Sequence, residues 1–143
     1  MPRLLIIAIG NPLRCDDGLA WFAAEALSRD ENAPEILCVH QLTPEIAEEL
    51  SRAGTVIFVD AACEGGPGNL ICRNLAQAGA DACFSHYFTP ATIRALAETL
   101  YGARPAAFSV TMTGECFDHG DTLSPSVVEG MPHLLAKIRA LLR

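Results

Sequence analysis

The chain has 143 residues, a length suited to one domain. Half of them are hydrophobic and 19% are charged, which supplies a core and excludes a disordered chain. The net charge of −7, with Lys137 the single lysine, argues against binding nucleic acid or an anionic membrane surface.

No segment reaches the ~18 consecutive apolar residues of a membrane span. Residues 3–9 (RLLIIAI) form a short apolar run that passes into Gly10-Asn11-Pro12 without a small-residue cleavage site. They read as a first strand rather than an export signal. Its continuous apolarity suggests a strand covered on both faces. Residues 18–29 carry Leu19, Phe22, Ala23, Ala26 and Leu27 at helical spacing, with Asp16-Asp17 placed to cap the helix. Residues 35–40 suit a second strand. Thr43-Pro44-Glu45 opens a helix to about residue 52, and residues 55–59 are a third strand closed by Asp60. A glycine loop at 65–68 precedes a further strand at 69–75, whose polar Arg73 and Asn74 suit an edge.

The stretch 76–88, containing Ser85-His86-Tyr87, has little pattern. Thr89-Pro90 starts a helix over 90–101, with Gly102 as its terminator. Residues 106–112 form another strand and 114–123 a polar loop. Ser124-Pro125 begins a last helix with Val127, Val128, Met131, Leu134, Leu135, Ile138, Leu141 and Leu142 on a broad apolar face. The order β-α-β-α-β-β-α-β-α predicts a single α/β domain over 1–143. It has a mostly parallel twisted sheet of about five strands between helices, in three layers.

Six cysteines (15, 38, 63, 72, 83 and 116) include no C-x-x-C pair. Without an export signal they suit the reducing cytosol, mostly as small core hydrophobes, with Cys38 and Cys72 inside apolar strands.

Ligands of open α/β sheets gather beyond the carboxyl ends of the strands. Asn11, Asp16, Asp17, Asp60, His86, Glu115, Asp118, His119 and Asp121 all lie in that part of the pattern. Carboxylates and an imidazole on one rim suit a borderline divalent ion such as nickel or zinc. Each also has a plainer reading. Asp16 or Asp17 suits a helix cap, Asp60 a strand end and His86 a surface histidine. Glu115, Asp118, Asp121, His119 and His133 suit solvated positions, and Trp21 suits packing or a rim contact. The chain has no G-x-G-x-x-G, P-loop, G-x-S-x-G or H-E-x-x-H pattern. A nucleophilic Cys15 is disfavoured by the two carboxylates that follow it. A phosphoacceptor receiver domain would use an acidic pair and Asp60. However, six residues separate strand one from Asp16, and no lysine stands near the last strand.

Residues 5–18 (LIIAIGNPLRCDDG) resemble the opening signature of the [NiFe]-hydrogenase maturation proteases. Asp60-Ala61, Ser85-His86 and Leu123-Ser124-Pro125 follow in the family's order, so the resemblance spans essentially the whole chain. Cys15 replaces a common glycine, and Tyr87-Phe88 replaces the Gly-Leu or Gln-Leu that often follows the histidine. Aspartate at position 17 is one of the two acids the family uses there. The resemblance implies a twisted, mostly parallel sheet and a cytoplasmic, aspartyl-type endopeptidase. Such an enzyme removes a C-terminal extension from the hydrogenase large-subunit precursor after nickel insertion. It further implies Asp17, Asp60 and His86 as catalytic residues that bind nickel carried by the substrate, with no tightly bound organic cofactor. A non-proteolytic metal-binding or chaperone module that docks on the precursor is the alternative.

Overall fold

The computed structural model describes residues 3–76 and 88–143. Their strands and helices follow the expected order. β1 (Leu4–Ile9), β2 (Glu35–Val39), β3 (Thr55–Ala62) and β5 (Ala106–Thr113) are parallel, and β4 (Leu70–Asn74) runs antiparallel at the edge beside β5. The spatial order is β2-β1-β3-β5-β4. Ile7 lies opposite both Leu37 and Phe58, so β1 is central.

Side chains alternate across a strand, and both faces of β1 are buried. Leu5, Ile7 and Ile9 pack with Val56 and Phe58 against α2 (Ile46–Ser51) and α3 (Pro90–Tyr101). Ile6 and Ala8 pack with Ile57, Val59, Val110 and Met112 against α1 (Leu19–Ser28) and α4 (Pro125–Leu141). The result is three layers, as the unbroken apolar runs predict. Fully burying one such Leu or Ile stabilises the fold by roughly 1.5–3 kcal/mol. Among the described residues, no helix is long and apolar enough to cross a membrane.

Several local readings change. Asp16 and Asp17 do not cap α1. They form a 3-10 turn, Cys15–Gly18, and the N-cap position is Gly18 with no side-chain bond. Phe22 and Val128, expected on buried faces, are exposed because only one stripe of α1 and α4 meets the sheet. The helix expected from Thr43 starts later, at Ile46. Thr43 and Pro44 instead offer their carbonyls to a turn. Thr89 and Thr92 do form a reciprocal capping box on α3, and Gly102 ends it at φ 66°.

Cys38, Cys63 and Cys72 are exposed rather than core residues. Cys38 and Cys72 lie on β2 and β4, the two outer strands of the sheet, so an apolar strand segment there is not covered all round.

Candidate functional site

Strand order reverses between β1 and β3. β1 is followed by a helix and the outer strand β2, whereas the chain continues from β3 toward the opposite edge. Such a reversal opens a crevice beyond the carboxyl ends of the two strands. The loop after β1 and the end of β3 meet there, and they carry Asp17 and Asp60.

Asp17 is placed by its own loop. Its Oδ2 accepts the Asn11 backbone N–H at 2.9 Å. Gly10 makes that return possible: its φ is +145°, and a Cβ at this position would strike the Asp17 carbonyl oxygen. The Gly10 N–H donates to the Val39 carbonyl at 3.0 Å, which also accepts the Trp21 Nε1–H at 3.2 Å. The ring of Trp21 leans on His40, with centroids 5.3 Å apart. Trp21, expected to serve packing or a rim contact, thus shares the Val39 carbonyl with Gly10 at the start of the loop that carries Asp17.

Asp60 continues the alternation of Val56 and Phe58 and lies opposite Thr111 on β5. Its Oδ1 accepts the Ala61 N–H at 2.8 Å. Burial pushes its pKa up to about 7, the Ala61 bond opposes this in part, and the nearby Asp17 charge adds to the rise. Asp60 therefore takes up and releases a proton near neutral pH, a property suited to general acid–base work.

His86 lies outside the described residues, as do Ser85, Tyr87 and most of the stretch 76–88. Among the described residues, no three His, Cys, Asp or Glu side chains cluster closely enough to hold an ion. Glu115, Asp118, His119, Asp121 and His133 are exposed, as expected.

Asp16 has a role that its neighbours in sequence do not disclose. It is fully buried (0% exposed). Its Oδ2 accepts the Glu115 N–H at 2.7 Å, the Cys116 N–H at 3.0 Å and the Ser124 hydroxyl at 2.6 Å. Its Oδ1 accepts the Ser124 N–H at 2.8 Å. Burial alone would raise its pKa, but these donors, led by Ser124, outweigh it and hold the carboxyl below its ordinary value. The Ser124 hydroxyl is therefore not available to cap α4. Gly114 allows the close approach, since a Cβ there would stand 2.7 Å from Asp16 Cβ. Asp16 locks the loop before α1 to the loop before α4, and so fixes the base from which Asp17 projects.

A cavity of about 420 Å3 lies along α1 and β2, lined by Pro12, Trp21, Phe22, Ile36 and Cys38. It touches the Asp17 loop only through Pro12 and does not contain the two carboxylates.

These features define a doubly wound α/β protein with paired carboxylates at its topological switch point. The antiparallel edge strand departs from the wholly parallel flavodoxin-like order of a receiver domain.

The fold is that of the hydrogenase maturation endopeptidases. The chain is similar to the endopeptidase HybD of Escherichia coli, with a TM-score of 0.80 and 22% identity over 99% of this chain and 92% of that one. The [NiFe] hydrogenase maturation protease HybD of Thermococcus kodakarensis gives 0.78 and 20%, over 99% of both chains. The hydrogenase 2 maturation peptidase of a Thaumarchaeota archaeon gives 0.73 and 22%, over 98% and 97%. No protein-family model matches the chain, and no curated protein matches it by sequence.

Proposed function

We propose that the chain is a cytoplasmic endopeptidase that trims the C-terminal extension of a [NiFe]-hydrogenase large-subunit precursor once nickel is in place. The observation that carries this reading is the pair Asp17 and Asp60 at the β1/β3 crevice, with Asp60 titrating at about 7. The fold likeness over nearly the whole length of the maturation endopeptidases supports it.

In this reading Asp17, Asp60 and His86 grip the nickel that the precursor brings. Two carboxylates and an imidazole are hard or borderline donors and leave positions open for the substrate's own ligands. Gripping the cargo orients the tail, and positioning of this kind is worth orders of magnitude in rate. The ion polarises the scissile carbonyl or the attacking water. Asp60, able to exchange a proton near neutrality, serves the proton transfers of hydrolysis. The Asn11 N–H and the Asp16 lock keep Asp17 in position throughout. Metal recognition doubles as quality control, because an unloaded precursor offers nothing to grip.

The test is incubation of the purified protein with a nickel-loaded and a nickel-free large-subunit precursor, read by intact mass. The proposal predicts loss of the C-terminal extension from the loaded form alone. A nickel-dependent complex with no mass loss favours the non-proteolytic chaperone instead.

A further inference from the structure

We propose that Cys15 and Cys116 are a covalent modification site, joined as an intramolecular disulfide when the protein meets hydrogen peroxide. The pair stands on backbone geometry. The Asp16 N–H donates to the Cys116 carbonyl at 3.0 Å, and the Cys116 N–H returns to the Asp16 carboxylate at 3.0 Å. The two cysteines therefore belong to strands of chain held side by side. Cys15 is the one described non-glycine residue with positive φ, at 48°. It is held there by its N–H bond to the Gly120 carbonyl at 2.8 Å. Gly120 has no side chain to compete for space, and a Cβ there would stand 2.8 Å from the Cys15 sulfur. Both residues are partly accessible, and their thiols face the same short loop, Cys15 Sγ beside Gly120 and Cys116 Sγ beside Asp118.

The local groups divide the labour. The Cys116 Sγ–H points to Asp118 Oδ2 at 3.8 Å, an acceptor for its proton. Cys116 attacks one peroxide oxygen, and its proton leaves with the departing hydroxide. The O–O bond breaks, giving a Cys116 sulfenic acid and one water. The Cys15 sulfur then attacks the Cys116 sulfur, gives up its proton and releases a second water as the S–S bond forms. Two thiols lose two electrons and two protons, and one peroxide becomes two waters. The bond would tie the loop before α1 covalently to the loop before α4, within the turn that carries Asp17. This inference is independent of the proposed peptidase activity.

The test uses the reduced full-length protein, dilute hydrogen peroxide, quenching with N-ethylmaleimide and non-reducing mass spectrometry. The chain has six cysteines. The expected product carries two fewer alkyl groups than the untreated protein, and its acidic peptide digest contains a Cys15–Cys116 linked pair that dithiothreitol releases. In Cys15→Ser, Cys116 is expected to stop at the sulfenic acid and be trapped by dimedone. Oxidation that leaves Cys15 and Cys116 alkylated while exposed Cys38, Cys63 or Cys72 react first would overturn the proposal. A linkage joining other cysteines would do the same.

Discussion

Replacing Asp16 by Asn changes one oxygen into an NH2 and leaves the shape almost intact, yet the structure predicts a large loss of stability. The carboxylate accepts four hydrogen bonds, three on Oδ2 and one on Oδ1. With the amide oxygen in the Oδ2 place, the new NH2 faces the Ser124 N–H, and a donor is left without an acceptor at about 1–3 kcal/mol. The other three bonds fall from a charged to a neutral acceptor, each losing roughly 1 kcal/mol. Allowing for relaxation, the expected cost is about 3–5 kcal/mol, a large share of the ~5–15 kcal/mol typical of a domain. Urea unfolding followed by far-UV circular dichroism reads this directly, and a slope of ~1–3 kcal/mol/M implies a midpoint lower by roughly 2 M. The pH dependence carries a sign. The folded Asp16 pKa lies below its ordinary value, so its contribution is complete above the unfolded pKa near 3.9 and is lost as pH falls through the folded value. The variant and the parent should therefore converge in acid. A cost under about 1 kcal/mol at neutral pH, the range of an ordinary helix cap, would refute the reasoning.

Asp60→Asn should behave in the opposite sense. A folded pKa of about 7 means the native state binds a proton more tightly than the unfolded chain, so wild-type stability declines as pH rises from about 4 through about 7. The full interval corresponds to about 4 kcal/mol, and solvent at the open rim reduces this to roughly 1–2 kcal/mol. Denaturation at both ends of that window should show the variant gaining on the wild type only at the upper end; parallel curves would contradict it. Gly10→Ala should destabilise by about 2 kcal/mol or more, through the positive φ and the clash with the Asp17 carbonyl. A thermal melt matching the wild type would rule that out. Thr89→Ala removes one half of the α3 capping box and should cost about 1 kcal/mol in the same melt, with Thr89→Ser close to wild type.

The sheet was legible because its central strands are buried on both faces, and only unbroken apolar runs such as residues 4–9 satisfy that condition. The ends of α3 were legible because their signals, Thr89-Pro90 and Gly102, are local. Asp17 and Asp60 were legible as rim residues because strand ends in an α/β order locate the rim. The Asp16 lock was not, because its partners lie 99 to 108 positions away and adjacency alone suggested a cap. Cys38 and Cys72 misled for a related reason. Which strands lie outermost is set by the whole sheet order, and nothing within a five-residue strand announces it. The Cys15–Cys116 contact likewise joins two loops that meet only once the sheet has formed.

The central claim is that the rim carboxylates, together with His86, perform the cleavage. Single-turnover processing of a nickel-loaded precursor, followed by intact mass, tests it most directly when Asp17→Asn, Asp60→Asn and His86→Ala are run beside the exposed control His119→Ala. The account predicts that each rim variant, folded by circular dichroism, slows cleavage by at least ~100-fold while the control keeps the wild-type rate. Wild-type rates in Asp17→Asn and Asp60→Asn would contradict it.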